Sequence, residues 1–240
     1  ELATGSGKTI TAIYGAVRTI ERNEGFVLIV AAPYTDLADQ WCEELQIFGI
    51  HAVKCYGSRS SWEPDLTSYL SRNHLRQKEF LAIVVVNNTL KSDHFQGYIN
   101  QLNHKRLFFI GDECHHHNAE GYAGKTFTDS AYRIGLSATP YDYIDSEKND
   151  RLNEIYGDTV YEYTLAQAVA AGVLTEYDYL AVPVELTIEE AEQYIELSDR
   201  ISRAYIISKN SNSKESSEGL TILLMKRARL IGSAKNKMVV

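Results

Sequence analysis

Cysteine, long apolar runs and an excess of positive charge are what this chain lacks. Its 240 residues include three cysteines (Cys42, Cys55 and Cys114), and no two of them form a Cys-x-x-Cys pair. An odd, scattered set argues against a disulfide framework or a zinc knuckle, and a reducing, cytoplasmic setting is expected. The longest apolar runs cover residues 26–32 and 81–86. Both fall far short of the roughly 20 residues that a membrane span needs, so no membrane partner is expected. No basic segment followed by an apolar stretch is found at the start, so no secretory signal is read. The first residue is Glu1, already inside a motif, so the chain is expected to be part of a longer polypeptide. With 44% hydrophobic and 23% charged residues, the composition is that of an ordinary globular domain. Collagen, disordered tail and coiled coil are excluded.

Net charge is -8, and it is unevenly distributed. Residues 1–140 are nearly balanced at -2, residues 141–199 carry -13, and residues 200–240 carry +7. Such a chain has no global field that would draw in a polyanion. A nucleic acid would have to be held locally, by backbone amides, helix N-termini and a few Arg or Lys.

Short β-rich runs alternate with helical patterns, the signature of a parallel α/β sheet. Strands are predicted at FVLIVAA (26–32), HAVKCY (51–56), LAIVVVN (81–87), RLFFIGD (106–112) and YRIGLSA (132–138). Several are apolar on both faces, as strands covered by helices on both sides should be. Helices are predicted over residues 9–22, 34–48, 62–77 and, more weakly, 96–103. Trp41 and Trp62 read as packing residues. Beyond Pro140 the pattern predicts an exposed acidic loop (141–150), a strand at TVYEYTL and a short helix ending at Gly172. It also predicts a further strand at YDYLAVPVELT (177–187). Thr187 followed by Glu190 has the capping-box spacing for a helix over 188–207. Residues 208–219 read as a polar loop and 220–237 as a basic helix. The boundary is placed at 185/186, with a helical connector over 186–240.

Three segments carry chemistry. The first is ATGSGKT (3–9). Phosphate oxygens require several N–H donors aimed at one point, which Gly5 and Gly7 permit, and a helix starting at the Lys adds its positive dipole end. Thr4, Gly5, Ser6 and Gly7 form the cradle, Lys8 reaches the β- and γ-phosphates of ATP, and the Thr9 hydroxyl joins the Mg²⁺ shell. The second is DECHH (112–116), directly after an apolar strand. Asp112 is the candidate Mg²⁺ carboxylate and Glu113 the group that orients and deprotonates water. His115, His116 and His117 are adjacent, so their side chains diverge and make a poor zinc site. The third is LSATP (136–140), where Ser137 and Thr139 could bond the carboxylate box and sense the γ-phosphate.

In this order and at these strand ends, A-T-G-S-G-K-T, D-E-C-H and S-A-T resemble the first RecA-like motor domain of superfamily 2 helicases. The Leu2 position, where the strict phosphate-loop pattern has Gly, is usual for that superfamily. His115 in the fourth place points away from DEAD-box RNA helicases. AAPYTDLADQW (31–41) is similar to motif Ia, VVVNNTL (84–90) to motif Ib, and the stretch 155–179 to the close of the first domain in type III restriction and XPB-type helicases. The resemblance implies a RecA-like P-loop NTPase domain over 1–185 with a parallel sheet flanked by helices. It implies nucleic-acid-dependent ATP hydrolysis with Mg²⁺, on DNA ahead of RNA. His115, Ser137 and Thr139 would couple the ATP site to the polymer. Pro33, Tyr34 and Thr35 in motif Ia, with Asn88 and Thr89 in motif Ib, would grip phosphates; Arg59, at another strand end beside Gly57 and Ser58, could join them. A second RecA-like domain of the same polypeptide would complete the ATP site with arginines. Two alternatives stay open on the sequence: a nucleotide-gated nucleic-acid clamp that does not translocate, and a P-loop NTPase of another class.

Overall fold

The computed structural model describes residues 1–22, 25–75, 80–142, 145–178, 180–210 and 214–238. They divide into two compact units, Glu1–Glu176 and Tyr177–Val240.

The first unit is built on five parallel strands: β1 (Val27–Ala32), β2 (Ala52–Cys55), β3 (Leu81–Val86), β4 (Leu107–Asp112) and β5 (Tyr132–Leu136). Their order across the sheet is β2-β3-β1-β4-β5. β1 lies at the centre, in register with β3 (Ile29 opposite Ile83) and with β4 (Ile29 opposite Phe109). Every residue of β1 and of β4 is buried, which explains why both read as continuous apolar runs. Side chains alternate across the pleat. Val27, Ile29 and Ala31 join a core with Trp62, Leu66, Phe95 and Ile99, whereas Leu28, Val30 and Ala32 join a second core with Ile13, Trp41 and Leu45. The two cores are the two faces of one sheet. α1 (Lys8–Ile20) and α2 (Thr35–Ile47) cover one face; α3 (Arg59–Leu75) and the short α4 (Asn87–Leu90) and α5 (Asp93–Ile99) cover the other.

The first three helices begin within three residues of their predicted starts; Gln77, the predicted end of the third, lies outside the described residues. The predicted helix over 96–103 starts earlier, because Ser92 Oγ accepts the Phe95 N–H and so caps α5 at Asp93.

Beyond Pro140 the structure corrects several expectations. The predicted acidic loop (141–150) is helical from Ser146 on: α6 spans Ser146–Tyr156, its N-terminus capped by Asp145, which accepts the Lys148 N–H. Burial of Leu152 and Ile155 on one side holds it despite its charge. TVYEYTL makes no strand, only one parallel bridge between Tyr163 and Leu2. Val160 is 98% exposed, so its apolar pattern meets no sheet face. α7 follows (Leu165–Ala170), opened by a capping box of Thr164 and Gln167.

In the second unit, the described residues of YDYLAVPVELT form no strand; Leu180 is 83% exposed and Pro183 offers no N–H to a ladder. Tyr179 lies outside the described residues. α8 (Ile188–Asn210) opens with the predicted capping box. Thr187 N–H donates to Glu190 Oε2 at 2.9 Å and Glu190 N–H to Thr187 Oγ1 at 3.3 Å. The predicted loop over 208–219 is partly helix, since α9 runs Lys214–Gly232; residues 211–213 lie outside the described residues. A polar stretch without proline extends a neighbouring helix at little cost, because nucleation is already done. The other oxygen of Glu190, Oε1, accepts the Lys235 N–H at 3.0 Å, and Arg227 lies 5.6 Å from the Tyr194 ring centre, so α8 and α9 form a hairpin fastened at both levels. These two backbone donors hold the Glu190 carboxyl below its ordinary range.

Candidate functional site

All five parallel strands point their C-terminal ends the same way, so the loops that follow them gather along one edge of the sheet. In sheets of this kind that edge is where ligands bind. DECHH and LSATP lie in those loops, and the phosphate loop, which follows none of the five strands, is tied to the same edge by the Leu2 N–H donating to the Ser137 carbonyl.

The phosphate-loop candidate turns through two left-handed glycines, Gly5 at φ 79° and Gly7 at φ 86°. Gly7 precedes α1, and no side chain caps that helix. The amides of its first turn are therefore free of a competing acceptor. Ser6 fixes the loop by donating from both its N–H and its Oγ to the Ala3 carbonyl, at 3.2 and 2.6 Å. Lys8 Nζ reaches back to the Leu2 carbonyl at 3.3 Å. Thr4, Gly5 and Gly7 are exposed; Ser6, Lys8 and Thr9 are half-buried.

Asp112 ends β4 and is 7% exposed. Its Oδ2 accepts the Trp41 Nε1–H at 2.8 Å, and its Oδ1 accepts the Glu113 N–H at 3.0 Å. Each oxygen keeps a second lone pair, so the carboxylate retains the capacity to bind a cation or its water. A carboxylate oxygen, like the hydroxyl of Thr9 in α1, is the kind of donor that suits Mg²⁺ and its retained waters. Among the described residues no three His, Cys, Asp or Glu side chains converge as a metal cage. Glu113 has a left-handed backbone at φ 45°, a conformation uncommon for a non-glycine residue and one that re-aims the chain after the strand.

His115 ties this carboxylate to the third motif. Its Nδ1 lies 3.0 Å from Ser137 Oγ and 3.4 Å from Glu113 Oε2. Burial, helped by the neighbouring His116, lowers its pKa, with Glu113 opposing. A carboxylate only accepts, so the single proton of the neutral ring belongs on Nδ1. Ser137 Oγ also accepts the Thr139 N–H at 3.1 Å, and the Ser137 carbonyl accepts the Leu2 N–H at 3.1 Å. The three motifs thus meet at one serine.

The residues expected to grip phosphates lie at the same edge. Pro33 and the 64%-exposed Tyr34 join β1 to α2, whose first residue is Thr35. Asn88 and Thr89 sit in α4, directly after β3. Arg59 opens α3 but is engaged: its Nε and Nη2 both donate to Glu63 Oε1, at 2.9 and 2.5 Å, and Nη1 lies 3.0 Å from His94 Nε2.

Four residues were not picked out as site residues from the sequence. Trp41, read as packing, also positions Asp112. His117, 1% exposed, stands between Tyr156 Oη at 2.6 Å from its Nδ1 and Asn87 Oδ1 at 2.9 Å from its Nε2. Burial is the main cause that pushes the His117 pKa down to about 3. The neutral ring therefore donates from Nε2 to Asn87 and accepts at Nδ1 from the Tyr156 hydroxyl. Tyr156 reaches this place because Gly111 and Gly135, opposite each other in β4 and β5, leave a notch. A Cβ on Gly111 would collide with the Tyr156 hydroxyl, and one on Gly135 would stand 2.9 Å from Cys114 Sγ and from Tyr156 Cγ. The sequence signal for this notch is the glycine in each of two adjacent apolar strands.

Known proteins of this kind were found in three comparisons. The family model for the type III restriction enzyme res subunit matches residues 1–142. A Methanocaldococcus jannaschii protein whose name describes it as an ATP-dependent RNA helicase is 30% identical over 148 residues, 60% of this chain and 18% of that protein. The Escherichia coli type I restriction enzyme EcoAI endonuclease subunit is 27% identical over 197 residues, 78% of this chain and 22% of that one. The chain thus spans about a fifth of the length of these curated relatives. Among solved structures, the Pyrococcus furiosus Hef helicase domain superposes with a TM-score of 0.56 at 17% identity, covering 95% of this chain and 50% of that one. That likeness establishes the fold as a RecA-like α/β domain.

Proposed function

The chain belongs to the type III restriction enzyme res subunit family, and from that premise we propose that it is the ATP-binding half of a nucleic-acid-dependent motor acting on DNA. The loop amides of residues 4–7, the start of α1 and Lys8 hold the β- and γ-phosphates. Thr9 and Asp112 would hold a Mg²⁺ ion, which would supply neutralisation of the charge on those phosphates. Glu113 takes the proton of the attacking water as the bond to the γ-phosphate breaks, giving ADP and phosphate. His115, Ser137 and Thr139 carry the state of that site to the loops that hold the polymer. Pro33, Tyr34, Thr35, Asn88 and Thr89 contact its phosphates, joined by Arg59 once it exchanges Glu63 for a phosphate. Residues 1–185 act as the first RecA-like domain and 186–240 as the connector to a second one in the same polypeptide, which supplies the arginines that complete the site.

One observation supports this reading above the rest: His115 Nδ1 lies 3.4 Å from Oε2 of the proposed base Glu113 and 3.0 Å from Ser137 Oγ. A P-loop enzyme without polymer coupling has no need of that link. The test is steady-state ATP hydrolysis by the polypeptide that carries this domain, without polymer and with single-stranded DNA, duplex DNA and RNA. Stimulation by DNA that is lost in both Lys8→Ala and Glu113→Gln is expected. A Lys8-dependent rate unmoved by every polymer would falsify the motor reading, and stimulation by RNA alone would reassign the substrate.

A further inference from the structure

We infer that His117 is a positioning residue that transmits the state of the ATP site to the polymer-binding helix α4, through the hydrogen-bonded chain Tyr156–His117–Asn87. The inference rests on the motor reading above and adds a second route to the one through Ser137.

The argument starts from one short segment. Residues Cys114–Asn118 form a 3₁₀ turn directly after Asp112 and Glu113. It carries His115, hydrogen-bonded to Ser137 and 3.4 Å from Glu113 Oε2, and two residues later His117, hydrogen-bonded to Asn87 and Tyr156. A 3₁₀ turn has poorer hydrogen-bond geometry than an α-helix, so this segment yields more readily than an α-helical one would. Displacement of this segment while Glu113 engages water moves both imidazoles together.

Each end of the His117 chain is anchored in a different element. Asn87 is the first residue of α4 and is buried, whereas Asn88, the next residue, is exposed. A pull on the Asn87 amide therefore re-aims Asn88 and Thr89, the residues assigned to polymer phosphates. Tyr156 is fixed from the other side, seated in the Gly111–Gly135 notch and stacked at 6.2 Å on Phe109 of β4. The anchor is rigid and the responding helix is short. Burial keeps the imidazole neutral, with one donor and one acceptor, so each of its bonds has a fixed direction. An apolar side chain of the same size would fill the space, but would impose no direction on α4. That difference is what a polar chain in a core contributes.

The experiment uses the whole polypeptide and reads three quantities: unstimulated ATP hydrolysis, polymer-stimulated hydrolysis, and polymer affinity with and without a non-hydrolysable ATP analogue. His117→Phe keeps ring volume and removes both hydrogen bonds; His117→Gln keeps an amide donor within reach of Asn87; Tyr156→Phe removes one hydroxyl. Expected for His117→Phe is an unstimulated rate and KM for ATP within about twofold of the parent. Its stimulated kcat should fall about tenfold, and nucleotide should no longer change its affinity for polymer. His117→Gln should regain much of the stimulation. Tyr156→Phe, the mildest change, should show the same loss in smaller degree, and it decides the matter if His117→Phe does not fold. Parent-like stimulation in a folded His117→Phe or in Tyr156→Phe, alongside lost stimulation in Asn88→Ala with Thr89→Ala, overturns the inference and leaves the motor reading standing. A parent that no polymer stimulates overturns both.

Discussion

The indole N–H of Trp41 donates to Oδ2 of Asp112 at 2.8 Å, joining helix α2 to the end of β4 inside the core. A tryptophan and a carboxylate 71 positions apart in the chain are thereby made one unit, and the carboxylate that ends the strand has its orientation set from the helix that follows β1. Trp41→Phe keeps most of the packing and deletes that donor. Loss of one hydrogen bond to a buried charge should cost about 1.5–3 kcal/mol of stability. ATP hydrolysis should fall further than folding does, because Asp112 loses its fixed rotamer. Urea titration and steady-state ATPase on the same preparation separate the two effects.

The notch made by Gly111 and Gly135 gives a second expectation. Gly111→Ala places a methyl group where the Tyr156 hydroxyl stands, and should destabilise the domain by about 1–3 kcal/mol through overpacking. Combining it with Tyr156→Leu should cost less than the two single changes together, since the smaller side chain vacates the contested space. Additive losses in a double-mutant cycle would show that the strain lies elsewhere.

Acid should weaken this domain in a window set by His117. Its folded pKa, pushed to about 3 mainly by burial and further by His116 and His115, lies below its ordinary 6.5. As pH falls, the unfolded chain takes the proton first, so this contribution is intact above about 6.5 and is lost progressively down to about 3. Each pH unit inside that window removes up to about 1.4 kcal/mol from this one group. Urea melts of the parent and of His117→Phe over this range should diverge at neutral pH and converge in acid.

In the second unit, Glu190 both caps the start of α8 and holds the segment that follows α9. Glu190→Ala removes the acceptor for both the Thr187 and the Lys235 N–H. A loss of about 1–2 kcal/mol is expected, above the usual figure for a single cap. Thr187→Ala should cost about 1 kcal/mol, because it breaks only one side of the box. Amide exchange along α8 and the last turn of α9 reads both.

Sheet, helices and loop chemistry were legible wherever the chain repeats with a clear period or a glycine sits at a strand end. Residues 26–32 and 106–112 could only be buried strands, and ATGSGKT could only be a tight turn before a helix. What was not legible depended on partners distant in sequence. Nothing in SEKNDRLNEIY marks Tyr156 as the residue that would occupy a gap between two strands. The His run reads as diverging side chains, but nothing in it says that Ser137 is the partner of His115, or Asn87 and Tyr156 those of His117. TVYEYTL has a strand's composition, but it meets a neighbour only at Tyr163, which bridges to Leu2. Arg59 looks available for a phosphate until Glu63, one helical turn on, is seen to hold it.

The strand order carries a consequence for how the protein is made. β1 sits between β3 and β4, and Val27 pairs with Leu107, 80 residues later in the chain. At roughly 5–20 residues per second, the ribosome needs about 4–16 s to deliver that partner. Until β3 is made, 54 residues on, VLIVAA has no strand partner, and its β4 edge stays open for the whole interval; an uncharged apolar segment of this kind is what nascent chains aggregate through. Synthesis rate upstream of residue 107, and the supply of holdases, should therefore set the soluble yield of this domain more strongly than its final stability does.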